Sequence, residues 1–243
     1  MKLAHDHWGK YYDFVYEQSF GDYYQEFTKN TLNIIENTKE KTNIIDFGAG
    51  TGRISIPLAK NGHSVVAVER SKGMFDEFQR KLSETKLNIK IHNCSIADFK
   101  AEKTDFALAL FTVLSYTVRE KDLEENLKNI CDHLKPEAYF LFDLPTKRLF
   151  DLGRITYVKT KKLSRIVDLL STETKDIYRY KEKCSGLYNG EEFSYKDDFL
   201  MRYWSLNQIG NILRNNGLED TKQSFLEFNS TGSIYKLYKK VKS

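Results

Sequence analysis

The 243-residue sequence predicts an α/β fold: a doubly wound, mostly parallel sheet with an antiparallel β insertion and an aromatic N-terminal helical lid. Three observations carry this expectation. Between Thr42 and Pro145, short apolar runs of strand length alternate with helical stretches, the pattern of parallel βαβ units. After Pro145 the alternation gives way to strand-like stretches around an Asn189–Gly190 turn. Ahead of the first strand, aromatic residues recur at three- and four-residue steps, as on one face of a helix.

Taken in order, residues 1–40 form the lid, with Tyr12, Tyr16, Phe20, Tyr23, Tyr24, Phe27, Leu32 and Ile35 on the helical rhythm. The α/β core spans 41–145. Its first strand is "TNIIDF", followed by helix "RISIPLAKNG", which closes on Gly62. Strand "SVVAVE", helix "GMFDEFQRKLSET" and strand "NIKIHNC" come next. Strand "DFALALF", helix "KDLEENLKNICDHLKP" stopped by Pro136, and strand "AYFLFDL" stopped by Pro145 complete the core. The insertion, 146–204, offers "RIVDLL", "DIYRYKEKC" and "EFSYKDDFLMRYW" as antiparallel strands. Residues 205–243 return to the core with a helix opened by a Ser205–Gln208 capping box and stopped at Gly217. Strands "KQSFLEF" and "SIYKLYKK" follow, joined by "NSTG", and the four parts make one domain.

The stretch "IIDFGAGTGRISIPLAKNG" places Gly48, Gly50 and Gly52 within five positions, directly behind a strand ending in Asp46 and Phe47. A strand that turns sharply into a helix gathers backbone N–H groups at one point, and a ligand brought there lies against backbone. A dinucleotide loop, G-x-G-x-x-G, needs a third small residue for close helix packing. Arg53 stands there, which disfavours NAD, and no Walker-type loop is present. The next strand ends in Glu69, 23 positions after Asp46, where a carboxylate can accept both ribose hydroxyls of an adenosine.

"DFGAGTG", "VAVER", "SKGMF" and "NCSIADF", in that order, resemble the class I S-adenosylmethionine-dependent methyltransferases, over roughly Thr42 to Leu144 and on into the closing helix and hairpin. The resemblance implies S-adenosyl-L-methionine as cofactor. The loop Asp46, Phe47, Gly48, Ala49 and Gly50 would take its methionine part, and Glu69 with Arg70 its ribose side. By the same resemblance Met74 flanks the adenine, and Ser95 and Ile96 meet its edge. Ser95 stands where an aspartate is frequent; Asp98 is either a substitute or the cap of the next turn. Arg53 either reaches the cofactor carboxylate or points to solvent. Phe111 would pack near the cofactor, with Tyr16 of the lid offering its ring to the sulfonium.

Ligands of such folds lie outside the carboxyl ends of the strands. "FTVLSYT" therefore delivers Ser115 and Tyr116 toward the acceptor, with Tyr12 and Tyr11 above them from the lid. Tyr116 and Tyr12 are the expected catalytic side chains, and His5, His7, Tyr116 and Asp143 are the candidate bases. Enclosure by lid and insertion suits a small-molecule acceptor, and within the family the arrangement resembles amino-sugar N-methyltransferases, which gives N-methylation preference over O-methylation. An RNA or protein acceptor, or a catalytically silent fold kept for assembly, are the rival readings. No Asp/Asn-Pro-Pro-aromatic motif speaks for a nucleic-acid amine.

Composition narrows the partners. Net charge is +4, with 38 basic and 34 acidic residues well mixed, so no anionic polymer is called for. No apolar run approaches the roughly 20 residues of a membrane span, and the first residues lack the apolar core of a signal peptide. Cys94, Cys131 and Cys184 are too scattered for a disulfide framework or a metal cluster, pointing to the cytoplasm and to no metal. The insertion's strands could pair between subunits and make a homodimer.

Overall fold

A computed structural model describes residues 3–151, 155–228 and 232–241. The expected turn at 229–231 and the last two residues of the basic C-terminus lie outside the described residues. Two sheets carry the fold. The larger has the order β10-β11-β5-β4-β1-β2-β3. Strands β1 (Asn43–Phe47), β2 (Ser64–Val68), β3 (Lys90–His92), β4 (Thr104–Ala109) and β5 (Leu134–Pro145) are parallel. Strands β10 (Leu218–Asp220) and β11 (Ser233–Lys240) close one edge antiparallel.

Helices cover both faces. On one side α5 (Glu120–Asp132) and α7 (Leu206–Asn215) bury Leu123, Leu127, Ile130, Ile209 and Leu213 against Phe140 and Phe142. On the other, α2 (Asp22–Thr38), α3 (Ser55–Lys60) and α4 (Lys72–Ser83) bury Ile34, Ile35, Leu58 and Phe78 against Ile44, Val65 and Leu108. β1 sits between β2 and β4, so its apolar run reads as continuously buried rather than alternating.

The second sheet, β6-β7-β8-β9, is antiparallel: β6 (Ile155–Lys159), β7 (Leu163–Ser171), β8 (Ile177–Tyr188) and β9 (Glu191–Arg202). Asn189 and Gly190, both at positive φ, make the hairpin between β8 and β9. Side chains alternate along β9, with Phe193, Tyr195 and Asp197 turned inward onto α1 (Tyr12–Phe20) and the chain before it.

The structure corrects several boundaries. β6 was missed. The fifth helix ends at Asp132 and β5 begins at Leu134, so Pro136 lies inside a strand instead of stopping a helix. Leu134 pairs with Thr104 and Tyr139 with Phe106, and Pro136 falls in the irregularity between these registers, where its missing N–H costs no ladder bond. "KQSFLEF" is a loop and a 3-10 turn, with the short strand 218–220 ahead of it. Phe225 and Phe228, three apart, pack together on the second core cluster while Leu226 is 69% exposed, a period of three, not two.

Candidate active site

The carboxyl ends of β1, β2 and β4 open into a cleft lined by the glycine turn, Glu69, Met74, Ser95 and Tyr116. Its floor is the glycine turn. Gly48, Gly50 and Gly52 all have positive φ (73°, 58° and 86°). Their reasons differ. A Cβ on Gly48 would fall 2.5 Å from Val113 Cγ2, and one on Gly52 2.4 Å from Phe78 Cε2, so these two make room for the protein's own side chains. A Cβ on Gly50 would meet only Met74 Cε, at 3.6 Å, and project into the cleft. Gly50 alone of the three leaves space for a ligand.

Glu69 directly follows β2 and is 8% exposed. Its Oε2 accepts the Gly50 N–H (2.8 Å) and its Oε1 the Ser71 N–H (2.7 Å), while Asn93 Nδ2 donates to the Glu69 carbonyl (2.8 Å). Burial pushes the Glu69 carboxyl up from its ordinary value, and the two N–H donors pull against it. Arg70, Met74, Ser95, Ile96 and Phe111 line the same cleft. Ser95 Oγ donates to Asp98 Oδ2 (2.6 Å) and accepts the Asp98 N–H (3.2 Å), so Asp98 closes the local turn and is tied to Ser95.

Four expected site residues stand behind the lining. Asp46 is buried and accepts from Ser55 Oγ (2.6 Å), bracing the turn into α3; burial pushes its carboxyl up to about 6. The Phe47 side chain belongs to the core beside Phe99. Ala49 is buried in the opposite core cluster. Tyr16 stacks on Tyr12 (4.4 Å between centroids) and lies under the Arg165 guanidinium (5.0 Å), turned to the insertion rather than the cleft. That guanidinium pairs with buried Glu182 through Nε (2.7 Å) and Nη2 (3.2 Å), and Tyr195 donates to the same carboxylate (2.7 Å). Arg53 is half-buried behind the glycine turn. It donates to Thr28 Oγ1 (2.8 Å) and sits over the rings of Tyr24, Phe27 and Phe111.

The roof is the N-terminal segment. Asp6 Oδ1 accepts from Ser71 Oγ (3.1 Å) and from the Gly73 N–H (3.2 Å), capping α4 from outside. Backbones meet closely here: a Cβ on Gly73 would lie 1.8 Å from the Asp6 carbonyl oxygen, and one on Gly9 2.4 Å from that of Gly73. Trp8, 1% exposed, stacks between Tyr12 and Tyr195 and donates from Nε1 to Asp197 Oδ2 (2.9 Å). Tyr12 and His5 face the cleft from this roof; Tyr11 instead stacks on Phe193.

After β4 the chain turns through Phe111 and Thr112, both at positive φ, held by the buried Asp143 carboxylate, which accepts the Thr112 N–H (3.0 Å). The turn aims Tyr116 into the cleft, while Ser115 is fully buried and does not line it. Of the four candidate bases only His5 and Tyr116 reach the cleft. His7 contacts the Lys196 carbonyl (2.7 Å) at the surface, and Asp143 braces the turn. Burial pushes the Tyr12 and Tyr116 hydroxyls up, so both stay protonated at neutral pH. Sequence reasoning missed Cys94 and Asn126, which line the cleft, and Asp6 and Asp197, which hold its roof; only Asp6 carried a signal, as a carboxylate beside a histidine-rich start. Among the described residues no cluster of His, Cys, Asp or Glu could hold a metal, and no helix is long and apolar enough to cross a membrane.

Residues 44–137 match a family described as a methyltransferase domain. The putative methyltransferase YqeM of Bacillus subtilis is 33% identical over 107 residues, 43% of each chain. The ubiquinone biosynthesis O-methyltransferase of Rickettsia typhi is 21% identical over 206 residues, 78% of this chain and 82% of its own. Alignment spans only about half the length of the first curated relatives, 58% and 43%. An S-adenosylmethionine-dependent methyltransferase from Clostridium acetobutylicum shares the fold with a TM-score of 0.82 at 16% identity, over 96% of this chain and 99% of that one. CalS10, an amino pentose methyltransferase from Micromonospora echinaspora solved with S-adenosylmethionine bound, gives 0.75 at 15% identity, over 95% and 96%. Residues 44–137 thus match a methyltransferase domain, and the chain shares its fold with these solved S-adenosylmethionine-dependent methyltransferases.

Proposed function

We propose that the protein is an S-adenosyl-L-methionine-dependent methyltransferase acting on a small-molecule acceptor, with N-methylation preferred to O-methylation. The observation that carries this reading is the pairing of Glu69 with the N–H of Gly50, the one glycine of the turn whose Cβ position is open. The residues fit the cofactor: Glu69 with Arg70 on the ribose side, Met74, Ser95 and Ile96 around the adenine, and Asp98 behind Ser95. Asp46, Phe47, Gly48, Ala49 and Gly50 shape the turn for the methionine part beside Phe111, with Tyr16 packed behind the Phe111 ring. When bound, S-adenosylmethionine supplies an electrophilic methyl group on a sulfonium. The chain's own work is to hold the acceptor in line and keep water out. Tyr12 and Tyr116 present neutral hydroxyls on the acceptor side, and the closed roof favours a small acceptor over a polymer.

In this reading residues 1–40 and 146–204 face the acceptor, and 41–145 with 205–243 hold the cofactor. A homodimer through the insertion belongs to the same proposal: its outward face carries exposed Tyr157, Ile166, Leu170, Leu187 and Leu200. A cytoplasmic location fits three free cysteines. Calorimetric titration with S-adenosylhomocysteine, S-adenosylmethionine and NADH tests the core of the reading. Micromolar binding of the sulfur ligands alone supports it, and an amine and amino-sugar acceptor screen then separates N- from O-methylation. Failure of both sulfur ligands to bind removes it.

A further inference from the structure

Three polar side chains from three distant segments meet behind the acceptor side of the cleft: His5 of the roof, Tyr116 of the turn after β4, and Asp197 of β9. His5 Nε2 lies 3.0 Å from the Tyr116 hydroxyl. His5 Nδ1 lies 3.2 Å from Asp197 Oδ2, a close polar contact off the line of a good hydrogen bond. The same carboxylate oxygen accepts the His5 backbone N–H (2.8 Å) and the Trp8 indole N–H (2.9 Å). His5 and Asp197 are 6% and 3% exposed, and His5 is held at φ 63°, a conformation side chains rarely adopt and one that the surrounding contacts must enforce. Trp8, Tyr12, Tyr116 and Phe199 all meet the imidazole edge-on, leaving Nε2 one polar neighbour on the cleft side.

We propose that His5 is a positioning residue that accepts the Tyr116 hydroxyl proton at Nε2, with Asp197 steadying the resulting imidazolium, so that Tyr116 can take the proton leaving the acceptor. This rests on the methyltransferase reading above. The balance is simple. The acceptor nitrogen or oxygen gains a methyl group and loses one proton; that proton goes to the Tyr116 oxygen as the Tyr116 proton goes to His5, and water takes it when the roof opens. Nothing is oxidised or reduced. Tyr116 alone is a poor base, because burial keeps its hydroxyl protonated. The relay also names an acceptor class: a primary or secondary amine or a hydroxyl, each with a proton to lose, rather than a tertiary amine. Facing the imidazole and its partner are Asp197 from β9, Tyr116 and Thr112 from the turn, Tyr12 and Tyr16 from α1, and Glu69 and Arg70 across the cleft.

Two readouts test it on the full chain and the His5→Gln, Asp197→Asn and Tyr116→Phe variants. In ¹⁵N NMR the wild-type His5 should carry its proton on Nδ1 with Nε2 bare. Tyr116→Phe should move the Nε2 resonance, and Asp197→Asn should shift the His5 proton from Nδ1 toward Nε2 by removing the carboxylate beside Nδ1. With glucosamine and tyramine as probe acceptors, His5→Gln should lower kcat about 100-fold at unchanged KM for S-adenosylmethionine and erase the acid limb of the pH profile. A proton on Nε2 in the wild type, an unchanged tautomer in Asp197→Asn, or wild-type kcat and acid limb in His5→Gln would each overturn the relay; where neither probe turns over, the NMR result decides. S-adenosylhomocysteine binding on the same samples keeps the failures apart: its loss in the wild type sinks the methyltransferase reading, while intact binding with the wrong tautomer sinks the relay alone.

Discussion

Glu69→Gln removes one carboxylate oxygen from a site where both are in use. Oε2 holds the Gly50 N–H at 2.8 Å and Oε1 the Ser71 N–H at 2.7 Å. The amide keeps one acceptor and sets its NH₂ against the other backbone donor. A hydrogen bond to a charged acceptor contributes about 1.5–3 kcal/mol, and a buried N–H left alone costs about 1–3 kcal/mol. With Glu69 only 8% exposed, water cannot readily replace the lost partner. We expect about 2 kcal/mol lower stability, a fall in Tm of roughly 4–8 °C for a domain of this size. The ribose contact is charged as well, so S-adenosylhomocysteine should bind about 10- to 100-fold more weakly, at about 1.4 kcal/mol per factor of ten. Calorimetry gives the affinity and a thermal melt gives the stability. A Kd within about twofold of wild type would refute the assignment of Glu69 to the cofactor, whatever the melt showed.

Gly50→Ala separates ligand space from packing: its Cβ meets nothing closer than Met74 Cε at 3.6 Å, so stability should fall only by the left-handed strain, about 1–2 kcal/mol, while affinity for S-adenosylhomocysteine drops more than about tenfold. Wild-type affinity by calorimetry would show that Gly50 does not face the ligand. Asp143 gives a pH test. Burial raises its carboxyl from 3.8 to about 6, so the native state keeps a proton that the unfolded chain has already lost. Stability then falls as pH rises from about 4 to about 6, by about 3 kcal/mol at about 1.4 kcal/mol per pH unit, and levels off above. Asp46, raised likewise to about 6, adds a slope of the same sign. Asp143→Asn keeps an oxygen for the Thr112 N–H and should remove about half of the pH dependence in urea unfolding; an unchanged slope would place the titration elsewhere. Gly73→Ala should favour the helix by about 1 kcal/mol yet dislodge the roof, since its Cβ lies 1.8 Å from the Asp6 oxygen; Trp8 fluorescence and faster proteolysis near the N-terminus report the release, and a buried Trp8 would contradict it.

What could be read from the sequence was local. The alternation from Thr42 to Pro145, the hairpin at Asn189–Gly190 and the Ser205–Gln208 capping box each depend on neighbours within a few positions, and each is present. Pro136 misled because its tolerance inside β5 depends on a register shift against β4, some 30 residues away in sequence. The glycine turn was legible as a turn, but not the division of labour within it. That Gly52 yields to Phe78 and Gly48 to Val113, leaving Gly50 for the ligand, depends on side chains from α4 and from the turn after β4. Ser115 was expected at the acceptor because it adjoins Tyr116, but the 3-10 turn over Val113–Tyr116 sends the two in different directions.

The acceptor side was illegible for a stronger reason: no contiguous stretch encodes it. Asp197 shows in the sequence only as one of two adjacent aspartates on a predicted strand, and its partners His5 and Trp8 lie about 190 positions away. Ser71 is where the two halves of the site touch. Its N–H holds Glu69 Oε1, its hydroxyl donates to Asp6 of the roof, and the same oxygen accepts the Met74 N–H at the head of α4. Opening the roof therefore removes one partner from the residue that fixes the Glu69 carboxylate, and a ligand that settles on Glu69 favours the geometry in which Asp6 can cap the helix. Cofactor side and roof meet at Ser71, and again where the Gly73 N–H donates to Asp6 and where Thr51 Oγ1 donates to Asp13 of α1, so the N-terminal segment is tied to the glycine turn as well as to the helix behind Glu69.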